Sequence, residues 1–408
     1  MTEPLRVAVV GGSIGGLTVA CLLHDAGHDV TVYERSRTEL EQRGAGIGFL
    51  EATYRYLVER AGLSLDRISV ATDHIRYLNR DDTVAHDAEH GYLFSSWNMV
   101  YRRLLAHWEG RLGGTARYCL GHEMVGFDQA QRDSTCEGDG EVTVHFAGEA
   151  PVTADLLICA DGVGSTARSI LQPKADPSYA GYVAWRGMVP ESDLPAPVID
   201  RLTDAITYYV FANSHILIYP IPGLDGAVSP GHRLINFVWY RNYLEGAELD
   251  ELLTDRTGMC RELSLPPGAA AAHHVAEVKA LAAARLPALA AEVVARTEHP
   301  FLQVVYDIEV EQMVFGRVVL LGDAAFAVRP HAAAGSAKAA EDGWVLASAL
   351  ARHPGDIRAA LRSWESDQLT LGRNLLARAR DIGTRSQVTN TWQPGDPDLI
   401  FGLHEPGR

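Results

Sequence analysis

The sequence has 408 residues, 47% of them hydrophobic and 22% charged, with a formal net charge of −16. A chain of this length buries a large core and is expected to fold as two or three units. The acidic balance argues against nucleic acid and anionic lipid as partners, and no apolar stretch approaches the roughly 20 residues that span a bilayer. The N-terminus lacks a basic region followed by an apolar one, so we expect no cleaved signal peptide and a cytoplasmic location.

The cysteines support the same location. There are five of them, scattered along the chain. Their spacing contains neither a CxxC pair nor a cysteine–histidine pattern, so no metal site is predicted. Cys21 and Cys159 lie in apolar stretches, where a buried free thiol is the ordinary state. A reducing compartment suits this pattern.

The first predicted elements are a strand, a tight turn, a helix and a second strand over residues 5–35. The first strand covers residues 6–10, the helix residues 17–26, and the second strand, which alternates apolar and polar residues, residues 29–34. The turn reads Gly-Gly-Ser-Ile-Gly-Gly at residues 11–16, which is the GxGxxG spacing with serine at the middle position. A βαβ unit of about 30 residues is the context that such a dinucleotide fingerprint requires.

Each residue of this turn has a specific expected task. Gly11 permits the tight turn, Gly16 lets the helix pack closely on the sheet, and the hydroxyl of Ser13 can hydrogen-bond a phosphate. The helix that begins at Ile14 presents free N–H groups and a positive dipole end to that anion. Glu34 ends the second strand, where a carboxylate accepts the hydroxyls of an adenosine ribose. These features predict a dinucleotide site without distinguishing FAD from NAD.

The remaining predicted elements alternate between strands and helices. In chain order they are a helix at residues 98–112, strands at 141–146 and 155–159, aromatic-rich strands across 179–243, an alanine-rich helical stretch at 273–296, strands across 304–321, helices across 337–386, and a Pro/Gly-rich tail. The strand at 155–159 is fully apolar and therefore central. The alternating pattern across 179–243 is typical of an antiparallel sheet in a second domain.

Two more motifs follow predicted strands. Ala-Asp-Gly-Val-Gly-Ser-Thr-Ala-Arg at residues 160–168 follows the strand LLIC, and Gly-Asp-Ala-Ala at residues 322–325 follows the strand VVLL. With the fingerprint at 11–16, they resemble the three signature motifs of the single-component FAD-dependent aromatic hydroxylases of the para-hydroxybenzoate hydroxylase type. The resemblance spans essentially the whole chain. It implies FAD as cofactor, NADH or NADPH as transient electron donor, O₂ as co-substrate and a small aromatic substrate.

A narrower resemblance is carried by Arg-Pro-His-Ala-Ala-Ala-Gly-Ser-Ala-Lys at residues 329–338 and by the segments 179–187, 218–223 and 239–240. They are similar to the monooxygenases around 2,6-dihydroxypyridine 3-hydroxylase. The implied reaction is hydroxylation of an electron-rich ring, a hydroxypyridine or a phenol, through a flavin C4a-hydroperoxide. The chain departs from the family's usual GDAAH motif at Phe326, which replaces the histidine, so we expect no acid–base role there.

The resemblance implies an α/β fold with a Rossmann-like FAD/NAD(P)-binding domain, an α+β substrate domain with an antiparallel sheet, and a C-terminal helical segment. The expected boundaries are 1–173 for the first part of the FAD-binding domain, 174–299 for the substrate-binding domain, 300–350 for the second part of the FAD-binding domain with its flavin loop and helix, and 351–408 for the C-terminal segment and tail. The FAD-binding domain is thus expected to be discontinuous.

The resemblance also implies which residues bind FAD. Asp323 is expected to hydrogen-bond a ribityl hydroxyl, and Asp161 to serve both FAD and the pyridine nucleotide. The loop at residues 44–47 should run past the isoalloxazine ring, and the helix after Gly335 should direct its N-terminus at the pyrimidine edge. Arg102 matches an arginine near the pyrophosphate, although a solvated helix arginine explains it equally well. The predicted set is Gly11, Ser13, Ile14, Gly16, Glu34, Arg35, Gly46, Ile47, Arg102, Asp161, Gly322, Asp323, Pro330, Ala333, Ala334 and Gly335.

Catalysis requires a base or proton relay, because the ionised ring hydroxyl makes the ring carbon a better nucleophile. In the strand at residues 215–221, alternation places two polar side chains on an otherwise apolar face, as expected over an aromatic substrate. The predicted catalytic residues are Tyr219, His215, His331 and Tyr208, with Tyr209 in place of Tyr208 if the register slips by one. A role in the core is the competing interpretation of each.

Several questions stay open at this stage. Three arginines, Arg186, Arg233 and Arg241, are candidates to anchor a substrate carboxylate but are interpreted as solvated surface residues. A flavin-dependent reductase of the same fold and a non-catalytic FAD-bound redox or binding protein are the alternative functions. Polar aromatic strands argue against the apolar tunnel of such a reductase, and no WxWxIP motif of a flavin halogenase is present. The resemblance also favours a homo-oligomer.

Overall fold

The computed structural model describes residues 3–40, 45–111, 114–129 and 140–404. Its strands are β1 (Arg6–Val10), β2 (Asp29–Glu34), β3 (Gly46–Gly48), β4 (Val70–Leu78), β5 (Val84–Ser96), β6 (Ala116–Leu120), β7 (Met124–Gln129), β8 (Val142–Phe146), β9 (Val152–Ala154), β10 (Leu156–Cys159), β11 (Ser178–Pro190), β12 (Ala205–Phe211), β13 (Ser214–Ile221), β14 (Leu234–Asn242), β15 (Ser264–Leu265), β16 (Phe301–Asp307), β17 (Val314–Phe315) and β18 (Val318–Leu320). Its helices are α1 (Ile14–Asp25), α2 (Glu51–Glu59), α3 (Trp97–Glu109), α4 (Thr166–Leu171), α5 (Ala196–Leu202), α6 (Ala247–Leu253), α7 (Ala272–Arg285), α8 (Ala288–Arg296), α9 (Gly335–Arg352) and α10 (Ile357–Thr384).

A six-stranded sheet carries the nucleotide motifs. Its order is β17-β18-β10-β1-β2-β6, and all neighbours except β17 and β18 are parallel. The apolar β10 lies between β1 and β18, which confirms its predicted central position. Because parallel strands end at the same edge of a sheet, the segments after β1, β2, β10 and β18 meet there. The three motifs are brought together in this way, although they lie far apart in sequence.

A nine-stranded sheet forms the second layer, in the order β15-β16-β11-β14-β13-β12-β4-β5-β3. The predicted antiparallel sheet across residues 179–243 is confirmed, and it recruits β3, β4 and β5 from the first hundred residues. The expected boundary at residue 173 therefore does not coincide with a boundary between the sheets. One face packs against a cluster that includes α5, α7 and α8, and the other face contributes an aromatic cluster to the interior.

The long predicted helices are present, whereas α2, α4, α5 and α6 were not predicted. The predicted helical stretch at 273–296 is two helices, α7 and α8, that are separated at Leu286 and Pro287. Proline lacks the N–H that would continue α7, and its ring is well placed at the start of α8. The helix α3 begins after Ser96, whose hydroxyl accepts a hydrogen bond from the N–H of Met99. Among the described residues, no helix has both the length and the hydropathy needed to cross a membrane.

Candidate active site

The turn after β1 has a geometry that only glycine allows. Gly11 has a φ of +106°, and a Cβ added there would lie 2.2 Å from the carbonyl oxygen of Ala160. A Cβ on Gly16 would lie 1.8 Å from the carbonyl oxygen of Gly11. Ile14 is buried in the first turn of α1, so Ile14 and Gly16 support the turn by packing and do not contact a ligand through a side chain. Ser13 caps α1 without a side-chain capping hydrogen bond, which leaves its hydroxyl for a ligand.

Glu34 is held rigidly at the end of β2. Its Oε2 accepts a hydrogen bond of 2.9 Å from the N–H of Gly12, and its Oε1 accepts one of 2.9 Å from the N–H of Ser36. A carboxylate has about four acceptor positions, so capacity remains for ribose hydroxyls. The cleft beside it has a volume of about 250 Å³. The predicted residues that line this cleft are Gly11, Ser13, Glu34, Arg35 and Asp161.

Asp161 carries an unsatisfied oxygen at this cleft. Its Oδ2 accepts a hydrogen bond from the N–H of Ala167, whereas Oδ1 is buried and has no partner among the described residues. Burial raises the pKa of the Asp161 carboxyl, and hydrogen bonds that include one from Ser165 oppose that rise. A buried acceptor without a donor is costly. A bound dinucleotide with hydroxyl or amide donors fits this position.

A second cavity, of about 320 Å³, lies between the nine-stranded sheet and the segment that runs from Asp323 to the start of α9. The predicted residues that line it are Gly46, Ile47, Asp323, Pro330, Ala333, Ala334 and Gly335. Gly44, at the start of the predicted 44–47 loop, lies outside the described residues. Trp97, which sequence reasoning missed, lines both cavities and joins them into one elongated site. The first turn of α9 borders the second cavity, and its free N–H groups would stabilise negative charge on a ligand bound there.

Beneath this cavity lies a buried ion pair. Lys338 Nζ lies 2.6 Å from Asp342 Oδ1, and both residues are almost fully buried. The N–H of Gly322 donates to Asp342 Oδ2 over 2.9 Å, which fixes the loop that carries Asp323. The Lys338 ammonium also lies 5.2 Å from the ring centroid of Phe326, a buried core residue. Phe326 thus contacts a cation in the core, and the expectation of no acid–base role at this position stays a prediction.

The Asp323 side chain is open to the cavity but is surrounded by protein on its other sides. This partial loss of water raises the pKa of the Asp323 carboxyl to about 6, and Lys338 acts in the opposite direction. The carboxylate form accepts hydrogen bonds from ribityl hydroxyls, whereas the protonated form loses acceptor capacity. FAD affinity should therefore rise as the pH rises through about 6.

Asp323→Asn is expected to weaken FAD binding about tenfold at pH 8, since a hydrogen bond to a charged group contributes roughly 1.5–3 kcal/mol. The variant should also lose the pH dependence near 6. Flavin fluorescence quenching during titration of the apoprotein at pH 5 to 8 measures both effects. Asp193→Asn, at an exposed carboxylate, is the matched control. A variant that keeps the wild-type pH dependence would contradict the role of Asp323.

Three side chains of the second sheet hold Gly46 against the cavity. Arg186 Nη2 donates to the Gly46 carbonyl over 2.7 Å, and the Tyr219 hydroxyl donates to the same oxygen over 2.9 Å. The Gly46 N–H donates to Asn236 Oδ1 over 3.0 Å. A Cβ on Gly46 would lie 2.6 Å from the Tyr219 ring, so the loop approaches the sheet more closely than other residues allow.

Arg186 has an environment that sequence reasoning missed. It lines the second cavity, and its partners are two neutral oxygens, the Gly46 carbonyl and Gln303 Oε1 at 2.8 Å. Its Nε is buried without a partner in the part of the chain that the structure describes. A signal was present, since alternation along β11 places Arg186 on the face of Tyr182 and Ala184. The guanidinium therefore faces the cavity with a charge that its partners do not neutralise.

The other two arginines have structural partners. Arg233 pairs with Glu191 at 2.8 Å, and both residues are buried. Arg241 lies 3.4 Å from Glu277 and over the ring of Tyr243. Neither lines the two cavities.

Arg102 also lies outside the two cavities. It is exposed on α3 and borders a separate groove with Glu39 and Asp225.

The two predicted histidines meet behind the cavity. Tyr240 lines the cavity, and its ring centroid lies 4.6 Å from that of His215 and 4.6 Å from that of His331. The Tyr182 hydroxyl lies 2.7 Å from His331 Nε2, and His215 Nδ1 is hydrogen-bonded to Ser386. Burial lowers the pKa of His215 to about 3 and lowers that of His331 as well. Both imidazoles are therefore neutral near pH 7.

The predicted tyrosines separate into two environments. Tyr219 lines the cavity, with its ring stacked on Phe94 at 4.3 Å between centroids. Tyr208 is buried, stacks on Tyr77 at 5.0 Å and does not line the cavity. Tyr209, the alternative for a shifted register, packs with the cluster on the opposite face of the sheet. Tyr240 takes the place at the cavity that was expected of Tyr208.

Comparisons with known proteins agree with this geometry. Profiles for an NAD(P)-binding Rossmann-like domain, an FAD binding domain-like region and an FAD binding domain match residues 9–38, 179–307 and 276–378. The chain is 37% identical to 2,6-dihydroxypyridine 3-monooxygenase of Paenarthrobacter nicotinovorans, over 98% of this chain and 96% of that protein. The chain belongs to the FAD-dependent aromatic hydroxylases. FAD is therefore its cofactor, and the elongated site is where the residues above would hold it.

Two further relatives place the chain within that family. The solved 2,6-dihydroxypyridine-3-hydroxylase of Arthrobacter nicotinovorans is similar with a TM-score of 0.90 at 36% identity, covering 100% of this chain and 99% of that one. An FAD-dependent urate hydroxylase of Klebsiella pneumoniae is 29% identical over 95% of this chain and 93% of its own length. The resemblance predicted from the three motifs is confirmed.

Proposed function

We propose that this hydroxylase acts on a small hydroxypyridine of the 2,6-dihydroxypyridine class, and that it binds the ring as an oxygen anion facing Arg186. The Arg186 guanidinium supports this proposal, because its charge faces the cavity and its two hydrogen-bond partners are neutral oxygens. A cation in a confined aromatic cavity favours an anionic ligand, because a charge-assisted hydrogen bond is stronger there than in water. The relative that acts on 2,6-dihydroxypyridine supports this choice of substrate.

FAD, reduced by NADH or NADPH, supplies the activation of O₂ that puts one oxygen atom on the ring. The chain's own residues position the ring and control its protonation. Leu217 and Val238 form an apolar wall, and Tyr219 and Tyr240 provide polar edges on the same cavity. Arg186 stabilises the ring oxygen in its ionised form, which makes the ortho and para carbons more nucleophilic.

The proton released from the ring hydroxyl needs a route out of the cavity. Tyr240 borders the cavity and rests on His331, which is hydrogen-bonded to Tyr182. The ring of Tyr182 lies below Arg329, which is paired with Asp307 at 2.9 Å. Asp307 also pairs with Arg380, whose side chain is 41% exposed. Contacting polar side chains therefore lead from His331 to the surface, and the ring contact between Tyr240 and His331 joins them to the cavity.

Tyr240→Phe is expected to lower kcat about tenfold at pH 7 and to shift the rise of the kcat profile to higher pH. The loss stays below the 10²–10⁴-fold typical of acid–base catalysis because water in the cavity takes over part of the transfer. Steady-state kinetics from pH 6 to 10 measure the shift. Tyr208→Phe removes a hydroxyl outside the cavity and is the matched control. An unshifted profile in Tyr240→Phe would remove Tyr240 from the path.

The proposed function is tested with purified FAD-loaded protein and a panel of hydroxypyridines and phenols, including a hydroxybenzoate. NADH or NADPH oxidation is followed for each compound, and product masses are determined. We expect strongest stimulation by dihydroxypyridines, with a product heavier by one oxygen. A product heavier by two hydrogens would establish the alternative reductase. Nicotinamide oxidation that no ring compound stimulates would favour the non-catalytic alternative.

A homo-oligomer remains a proposal that rests on the family resemblance, and sedimentation of the FAD-loaded protein tests it.

The lining of the cavity argues against the alternative reductase, and the 37% identity to a monooxygenase argues against a non-catalytic protein. A cavity with a charged guanidinium and two tyrosine hydroxyls suits a polar ring better than an isoprenoid chain.

A further inference from the structure

A third cavity, of about 650 Å³, lies away from the FAD site and shares none of its lining residues. It is bordered by α2, α9 and α10. Glu341, Trp344, Val345, Ser348 and Arg352 of α9 line it at helical spacing, so they form one stripe of that helix. Ala339 of the same helix packs instead against Gly15 and Gly322 of the nucleotide site. The cavity is therefore on a different side of α9 from the flavin loop.

The cavity contains a buried amide that the protein leaves unsatisfied. Gln368 is 0% exposed, and neither its Oε1 nor its Nε2 has a hydrogen-bond partner among the described residues. The indole Nε1 of Trp344 is likewise buried and without a partner there. Buried polar groups in proteins are nearly always paired, because an unmade hydrogen bond retains its full desolvation cost. Two such groups lining one cavity point to a ligand that supplies the missing partners.

The other groups at this cavity define its chemistry further. The Arg55 guanidinium lies 4.1 Å from the centroid of the Trp344 ring, so a flat cationic group already covers that ring. Glu341 is 7% exposed, and burial raises the pKa of its carboxyl to about 7, with Asp342 acting in the same direction and Arg55 against it. Near neutral pH this carboxyl either donates or accepts a hydrogen bond.

We propose that this cavity is a second ligand site, which binds a planar, uncharged nitrogen heterocycle through its lactam edge. Such an edge has an N–H beside a C=O. Because Gln368 is 0% exposed, its side chain must shift toward the cavity on binding. Its amide then pairs with the lactam edge through two parallel hydrogen bonds, from the ligand N–H to Oε1 and from Nε2 to the ligand C=O. The Trp344 N–H and the Glu341 carboxyl then serve a further polar atom of the ring. The proposal does not depend on which substrate the flavin site takes.

The test uses FAD-loaded protein and 2-pyridone as the probe. Equilibrium dialysis measures bound probe, thermal unfolding measures stabilisation, and the flavin absorbance spectrum reports occupancy of the flavin cavity separately. We expect saturable binding with a rise in Tm in the wild type. Arg186→Met should keep this binding, since Arg186 lies in the other cavity. Absence of saturable binding in the wild type would overturn the proposal.

Gln368→Leu is the decisive variant, because leucine removes both unsatisfied atoms and nearly preserves the volume. Without probe it should unfold at the same temperature as the wild type or higher, so a folding defect does not obscure the result. It should lose the probe-induced rise in Tm and one equivalent of bound probe. Gln393→Leu, at an exposed glutamine, is the matched control. Retention of the full response in Gln368→Leu would overturn the assignment. Failure of the proposed hydroxylation would instead appear in the product masses.

Discussion

Arg186→Met is expected to lower kcat/KM for the hydroxypyridine substrate about 100-fold. Two hydrogen bonds from a guanidinium to an ionised ring oxygen contribute roughly 3 kcal/mol together, and each 1.36 kcal/mol corresponds to a factor of ten. Part of the loss should appear in KM, because the anion is bound less well. Another part should appear in kcat, because a smaller fraction of the bound substrate has its ring hydroxyl ionised. Stopped-flow binding and steady-state turnover separate the two contributions.

The same variant also removes hydrogen bonds to Gly46 and Gln303, so its controls must exclude a local rearrangement. Arg186→Lys keeps the charge and should recover part of the activity, although it lacks the forked geometry. Arg241→Met removes an arginine from the same sheet outside the cavity and should be close to wild type. FAD content must be unchanged in all three. Equal activity of Arg186→Met and Arg241→Met would refute the anion-binding role.

Lys338→Met should lower the free energy of unfolding by about 3–5 kcal/mol, the usual cost of removing one partner from a buried ion pair. Asp342 would remain fully buried, with its Oδ2 still accepting from the N–H of Gly322. The expected consequence is a loosened flavin loop as well as a less stable core. Urea unfolding measures the stability of the core, and FAD retention on gel filtration measures the effect on the flavin loop. Lys174→Met, at an exposed lysine, is the control.

The loss of unfolding free energy in Lys338→Met should grow as the pH rises. Burial already raises the pKa of the Asp342 carboxyl, and Lys338 opposes that rise. Without the ammonium the folded-state pKa rises further, whereas in the unfolded chain it stays near 3.9. The folded state then holds a proton that the unfolded state has lost, so stability falls as the pH rises. A destabilisation that is equal at pH 5 and pH 8 would contradict this account.

The nucleotide end of the site was predictable because its determinants are local. The positive φ of Gly11 and the close approach of Gly16 to the Gly11 carbonyl arise within one contiguous strand, turn and helix, although Ala160 also closes on Gly11 from the end of β10. Glu34 follows at the end of the next strand, and its two hydrogen bonds come from residues 12 and 36. The motif at residues 322–325 was recognisable for the same reason, since a strand and its following turn form one local unit.

The substrate end was predicted less well, because its residues come from strands whose pairing no local pattern specifies. Alternation alone says neither which face of a sheet with two buried faces meets the flavin nor which of its strands reach the cavity. Tyr208 and Tyr240 share one face, but β13 and β14 line the cavity and β12 does not. The same ambiguity led to Arg186 being interpreted as a solvated residue, although its position on β11 carried the information. Trp97 was missed because it lies at the junction of two cavities that only the packed sheets create.

The sequence by itself indicated the dinucleotide site, since glycine turns and strand ends are properties of short segments. The order of its three motifs carried the family resemblance, and that resemblance implied the cofactor, the fold class and the reaction type. Only the tertiary structure decided which charges are unpaired. Arg186, Arg233 and Arg241 are alike in sequence, yet Arg233 is paired with Glu191, Arg241 with Glu277, and Arg186 with neutral oxygens beside a cavity. A charge is neutralised or left available by groups that are distant in sequence. The residues that select the substrate therefore emerge only when the two sheets pack.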